Sequence, residues 1–436
     1  MAVPRVLVIG GGIAGMEASL QVASAGYEVF LVERRPWIGG RMAQLDKTFP
    51  TLDCSSCIIT PRMVSVGSHP LIHLLTLSEV IGVEGSEGDF RVTVRRNPRY
   101  VDESKCTGCG QCAEACRLKG RIPSEFDMGL GGRSAIYLAF PQAVPMKYAV
   151  DPERCLMLTR GRCGKDGPRC QEACPQGAID FEQEAEEVQI EVGAIVVATG
   201  FDPFPPEGKP EYGYGRSKGV ITALELERLL SASGPTAGEV LIDGRTPKRF
   251  LFIQCVGSRD HQAGNRYCSR VCCMYVAKQA HLVKERIPDA RVTVCYMDVR
   301  AFGKGYEAFY ERVQRDGVIY RRGLPSEVFE RDGQLVVRGE DTLLGRPYEE
   351  EVDVVVLAVG LVPSQGAEEL AGTLGLEVDE YGFFQEADPN DPVLSPRPGI
   401  FLAGCCQGPK DIPDSVAQAF GAAARALAVI GGAGGG

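Results

Sequence analysis

A chain of 436 residues is too long for one hydrophobic core, so about two to four domains are expected. Its 47 basic and 57 acidic residues sum to a net charge of −10, which excludes nucleic-acid binding as the main function. Seventeen cysteines, in a chain that opens directly on a strand without a charged, apolar and cleavable leader, point to a cytoplasmic protein whose thiols ligate metal or do redox work.

Arg5 to Ile9 reads as a strand and Met16 to about Ala25 as an Ala-rich helix. A second strand, Glu28 to Val32, ends at Glu33. Between the first strand and the helix, Gly10, Gly12 and Gly15 form G-x-G-x-x-G, with Glu33 placed 18 residues after the third glycine. Glycines there permit a tight turn and close approach of a pyrophosphate. The helix N-terminus supplies amide donors, and the acid holds a ribose hydroxyl. Dinucleotide binding follows.

Gly39-Gly40-Arg41 is similar to the Gly-Gly-Arg of two-dinucleotide-domain flavoproteins, which narrows the ligand to FAD with Gly40 and Arg41 as contacts. Ala194 to Gly200 and Val354 to Gly360 resemble the strand-plus-turn connections of that α/β fold, and Ile400 to Gly404 resembles its last FAD-contacting strand. An FAD domain in three pieces is expected, residues 1–95, 183–246 and 363–436, with Gly200 and Gly404 at the cofactor. A Gly/Ala-rich tail, Gly431 to Gly436, is expected to fray.

Residues 96–182 interrupt that domain. Cys106, Cys109, Cys112 and Cys116 form a C-x2-C-x2-C-x3-C run, followed by Cys155, Cys163, Cys170 and Cys174-Pro175. Bacterial-type ferredoxins carry such a run twice, and the fourth cysteine of each ligates the other cluster. This assigns one [4Fe–4S] cluster to Cys106, Cys109, Cys112 and Cys174, and another to Cys155, Cys163, Cys170 and Cys116. The second run is spread wider than in a ferredoxin, and Arg117 stands where proline is usual. Four thiolates can also hold zinc.

Residues 247–362 read as a second nucleotide-type domain, with a strand from Phe250 to Ile253, a helix to about Arg286, a strand Arg291 to Tyr296 and a helix Tyr306 to Arg315. It has no G-x-G-x-x-G. Its first strand-to-helix turn carries Cys255, Cys268, Cys272 and Cys273 instead, so no nicotinamide nucleotide is expected there. Spacing alone leaves this quartet open between a metal site and buried core cysteines with one redox pair.

Cys54-Ser55-Ser56-Cys57 lies where glutathione-reductase-like flavoproteins keep a redox disulfide, so Cys54 and Cys57 are candidate catalytic thiols; ligation of a cluster shared with a partner and inert thiols are the alternatives. Lys47 is a candidate neighbour of the flavin ring, against a solvated surface lysine. Asp411 and Ser415 open the last helix, whose N-terminus can face the flavin. Cys405-Cys406 replaces the usual Gly-Asp, with packing the favoured role.

The stretches Ala43 to Cys54, the Cys106 run, Glu125 to Gly129, Gln254 to Asp260, Tyr267 to Cys273 and Gly408 to Ala419 resemble the A-type subunits of heterodisulfide reductases across nearly the whole chain. The resemblance implies FAD on a thioredoxin-reductase-like, two-dinucleotide-binding-domain fold with an inserted two-cluster ferredoxin. It also implies a third [4Fe–4S] cluster on the Cys255, Cys268, Cys272, Cys273 set. The flavin of such complexes is the branch point of electron bifurcation.

The family's input and output cluster domains are expected to come from partners: iron–sulfur B/C-type subunits, a hydrogenase, a dehydrogenase or a membrane protein. The pattern is compatible with a homodimer, and also with a simple electron conduit like the flavin subunit of the quinone-interacting membrane-bound oxidoreductase. No apolar run approaches the roughly 18 residues that span a bilayer, so membrane association would run through partners. The competing reading is a stand-alone NAD(P)H-dependent disulfide reductase using Cys54 and Cys57. All four histidines fall before residue 282, which opposes it.

Overall fold

The computed structural model describes residues 2–165 and 167–432, so the end of the Gly/Ala tail lies outside them. Two five-stranded parallel sheets form its frame. The first runs in the order Ile400–Leu402, Ala194–Val197, Arg5–Ile9, Glu28–Glu33, Ile72–Thr76. Alternation along its strands splits the core. Val6, Val8 and Val196 face the helices Ile13–Ser24, Ser55–Ser68 and Ile412–Gly431, whereas Leu7, Ile9 and Val197 face an antiparallel sheet of Ser78–Ser86, Asp89–Arg96 and Glu186–Val192. Continuous apolar strands such as RVLVI are what burial on both faces requires.

The second sheet repeats the plan in the order Val220–Thr222, Val354–Val359, Arg249–Val256, Arg291–Tyr296, Ile319–Arg322. Helices Ala223–Leu230, Cys272–Arg286 and Tyr306–Arg315 cover one face, and an antiparallel meander, Glu327–Arg331, Gln334–Asp341 and Arg346–Val352, covers the other. Two short strands carry the chain between the halves, Phe201–Pro203 outward and Leu361–Pro363 back, paired antiparallel.

This topology moves one expected boundary. Residues 204–246 read as part of the FAD domain, yet Val220–Thr222 pairs with Val355–Leu357, and the capping box of Thr222 and Glu225 starts a helix packed on the second sheet. A three-residue strand carries too little pattern to reveal its sheet.

The cysteine-rich insertion leaves after Asp89–Arg96 and returns into Glu186–Val192, where Arg96 pairs opposite Glu186, so both ends meet on one hairpin-like edge. It has little regular structure: helices of four or five residues and two-residue ladders around a core of cysteines, Val101, Ile136 and Ile179. Arg228, 1% exposed, pins it to the frame. The guanidinium donates to Asp127 (3.0 Å) in the insertion and to the Gln44 carbonyl (3.1 Å) in the first half, and it lies over the Phe126 ring. Arg228→Ala leaves the half-buried Asp127 and the Gln44 carbonyl without their donor and should cost about 1–3 kcal/mol. The check is a lower unfolding midpoint with faster proteolytic cutting inside residues 96–182; an unchanged midpoint would show that the pair contributes nothing.

Candidate functional site

A cavity of about 450 Å³ opens at the C-terminal ends of the first sheet's strands and is roofed by the second half. Gly10, Gly12, Glu33, Gly40, Arg41, Gly200, Asp411, Ser415 and Lys47 all line it. Gly15 and Gly404 do not. A Cβ on Gly15 would lie 1.8 Å from the Gly10 carbonyl oxygen, so Gly15 serves the close approach of helix to turn. The Gly404 amide, at φ +72°, donates to Gln418 Oε1 (3.0 Å).

The cavity fits a dinucleotide. The space in front of Gly12 is open to 4 Å, at the N-cap of a 12-residue helix. Thr199 Oγ1 is buried in the wall without a hydrogen-bond partner, although such groups are almost always paired. The Glu33 carboxylate sits between the Gly11 amide (2.7 Å) and the Arg35 amide (2.8 Å) at the end of the second strand, placed for a ribose hydroxyl. Arg41 pairs with Asp202 (2.5 Å) on the outgoing linker strand.

Other wall residues carry no motif. Lys278 and Glu227, 1% and 2% exposed, form an ion pair of 2.6 Å; Lys278 also donates to the Lys47 carbonyl (2.8 Å), and Gln279 to Glu227 (2.6 Å). Cys405 faces the cavity, whereas Cys406 turns away and donates to the Val197 carbonyl (3.1 Å). The only sequence signal for Lys278 is a cation among Val276, Ala277 and Ala280 on a buried helix face.

Cys54 and Cys57 are disulfide-bonded at the start of helix Ser55–Ser68, with Cys57 exposed. Thr51 and Ile58, flanking them, reach the cavity wall; the two sulfurs do not.

In the insertion, Cys106, Cys109, Cys112 and Cys174 line one small cavity, and Cys116, Cys155, Cys163 and Cys170 line another. The crossed pairing expected from ferredoxin spacing is thus the grouping in space. The walls are apolar, with Ile136 shared by both and Val150 in the second. Burial pushes the Cys112 and Cys170 thiols up to about 12, so these sulfurs disfavour charge unless a metal takes the proton's place. Among the described residues no group of His, Cys, Asp and Glu converges on a single metal ion.

The third quartet sits where the second sheet's central strand meets its helix. The strand bulges between Ile253 and Val256, and Cys255 there has φ +59°, a conformation costing on the order of 1 kcal/mol in a non-glycine residue. Cys255, Cys272 and Cys273 are buried, and Cys268 is half-buried. Burial, with Cys273 next to it, pushes Cys255 up to about 12. Helix Cys272–Arg286 starts at the quartet, and Val271, Tyr275 and Lys278 form part of the cavity wall. Over Gly257, the glycine that directly follows the strand, lies the Phe204 ring, 2.2 Å from where a Cβ would stand. A nucleotide pyrophosphate would need that space.

Residues 5–52 match a family of FAD dependent oxidoreductases, and residues 99–117 match the 4Fe-4S binding domain. The chain is 54% identical over 427 residues to the A subunit of the H(2):CoB-CoM heterodisulfide,ferredoxin reductase of Methanothermobacter marburgensis. It is 52% identical over 423 residues to the iron-sulfur A subunit of the CoB--CoM heterodisulfide reductase of Methanocaldococcus jannaschii. These alignments cover 97% and 96% of the chain but 63% of each relative's length. Among solved structures, Lactococcus lactis thioredoxin reductase aligns with a TM-score of 0.54 at 15% identity, over 99% of this chain and all of that one. The T. acidophilum thioredoxin reductase gives 0.53 at 14%, over 98% and 99%. That likeness shows the fold, two dinucleotide-binding-type domains, and the family matches support FAD and iron–sulfur clusters as cofactors.

Replacing Glu33 by Ala removes a charged hydrogen-bond acceptor from the cavity. FAD should bind roughly tenfold more weakly, about 1.4 kcal/mol, in a flavin fluorescence titration. Unchanged affinity would take Glu33 out of the site.

Proposed function

We propose that the chain, which shares 52–54% identity with heterodisulfide reductase A subunits over 63% of their length, is a member of that family and the FAD- and iron–sulfur-dependent electron-transfer subunit of a heterodisulfide-reductase-like complex. It moves electrons among flavin, clusters and partner subunits, and binds no small substrate by itself. The observation that carries this reading is the cysteine quartet at the base of helix Cys272–Arg286, one turn from the cavity wall. A hydride donor would dock there in a pyridine-nucleotide enzyme.

Three [4Fe–4S] clusters are assigned: Cys106, Cys109, Cys112 and Cys174; Cys116, Cys155, Cys163 and Cys170; and Cys255, Cys268, Cys272 and Cys273. When bound, FAD exchanges electrons in pairs or singly, which lets it join two-electron and one-electron carriers. The chain's own residues hold and shield it. Gly10 and Gly12 with the Ile13–Ser24 helix take the pyrophosphate, Glu33 the ribose, and Lys278 with Glu227 present a fixed, dry charge pair to the far end of the cavity.

The insertion touches the first half through Gln44 Nε2, which donates to the Phe126 carbonyl (2.8 Å), and the second half through Arg228 and Asp127 (3.0 Å), while the quartet lies at the start of the helix whose Tyr275 and Lys278 line the cavity. Separate cluster sets around one flavin are what bifurcation requires, and we extend the proposal to it. The partners then take the two electrons at different potentials. The site of action is the cytoplasm; among the described residues no helix is long and apolar enough to cross a membrane.

Iron and flavin analysis of the anaerobically purified protein tests the assignment. Three cubanes predict about twelve iron atoms per FAD, and Cys272→Ala should lose about four of them while keeping the flavin. About four or fewer in the unmodified protein would break the reading. Rapid reduction of the bound flavin by NADH or NADPH would favour the disulfide-reductase alternative.

A further inference from the structure

The polar surroundings of the third quartet are unusual for a set of buried thiols. Gln254 is 0% exposed, and its Nε2 has no hydrogen-bond partner, while its Oε1 accepts from Cys273 Sγ (3.3 Å). An orphaned buried amide donor costs about 1–3 kcal/mol. Tyr275, three residues after Cys272 and so on the same helix face, donates its hydroxyl to the Val359 carbonyl (2.8 Å) and lies close enough to the Cys272 thiol to interact with it electrostatically. Its ring forms part of the flavin cavity wall. The Arg270 amide points at Cys268 Sγ (3.3 Å).

With a neutral thiol Cys273 donates its own proton to Gln254 Oε1, while the Tyr275 hydroxyl beside Cys272 gives its proton to the Val359 carbonyl. Ligation to iron removes the thiol protons and leaves the sulfurs as acceptors only. The same side chains can then answer without moving their backbone. A flip of the Gln254 amide turns the orphaned Nε2 toward Cys273, and rotation of the Tyr275 O–H turns its proton from the carbonyl to the charged sulfur, the stronger acceptor. Hydrogen bonds to cluster sulfurs stabilise the more negative, reduced state and raise the potential.

We infer that Gln254 and Tyr275 are positioning residues that donate hydrogen bonds to the Cys273 and Cys272 sulfurs and raise the potential of the cluster on that quartet. This rests on the quartet holding a cluster. Tyr275 does so from the flavin cavity wall, where its ring stands whether or not the cavity is filled.

The test is a potentiometric titration, followed by EPR, of the signal that Cys272→Ala abolishes, in flavin-loaded and flavin-stripped protein. Tyr275→Phe and Gln254→Met should each move the midpoint downward with iron content unchanged, and the double variant should move it further. Tyr275→Phe keeps the ring against the cavity, so its effect should persist in the stripped protein. A midpoint that stays in place with the iron retained overturns the role of that residue. Absence of a signal and of its iron in the unmodified protein would instead overturn the quartet as a cluster site.

Discussion

A charge pair with almost no exposed surface holds the two nucleotide-type halves around their shared cavity. Lys278 and Glu227 lie on two helices of the second half, and besides Gln279 their hydrogen-bond partners lie in the first: Lys278 donates to the Lys47 carbonyl, and Glu227 accepts from the Asp46 amide (3.0 Å). Burying two charges costs several kcal/mol each and is tolerated only when every lone pair and proton is matched. Here the matching groups come from both halves, so the pair is satisfied only when they are docked. The wall at this end of the cavity is therefore a product of assembly.

That dependence explains which parts of the site were legible in the sequence. The glycine fingerprint, Glu33, Gly40 and Arg41 form one local unit, and each residue's role follows from its neighbours in the chain. The grouping of the insertion's cysteines was also legible, because a ferredoxin run carries its own crossed spacing, and those cysteines line two cavities in the expected groups. Glu227 and Lys278 were not. They are distant in sequence, and each alone reads as an ordinary charge on an amphipathic helix.

The same physics limited the fold. Alternating or continuous apolar runs marked the long strands, and the helices Cys272–Arg286 and Tyr306–Arg315 lie where periodicity put them. The exchange of the chain between halves was hidden, since Phe201–Pro203, Leu361–Pro363 and Val220–Thr222 are three residues each. Arg228 was equally silent, although it ties the insertion, the first half and the second half together. A buried arginine is informative only once its partners, Asp127 and the Gln44 carbonyl, are known.

The stretch from Phe250 to Ala277 departs from a nucleotide-binding turn for reasons that can be read in volume and charge. A fingerprint works because bare backbone leaves room for a pyrophosphate and because helix amides face it. Here Phe204, delivered by the outgoing linker strand, fills the room over Gly257, and the strand bulges at Cys255 before it pairs again at Val256 with Val359. The helix begins with sulfur, Cys272 and Cys273, instead of a glycine. The donors around those sulfurs, the orphaned Gln254 amide on the strand and the Tyr275 hydroxyl on the helix, suit thiolates better than thiols. Under the proposed reading, a site that would have accepted a diffusing hydride carrier holds a fixed electron carrier on the same scaffold. Substrate specificity then passes from this protein to whichever partner docks against it.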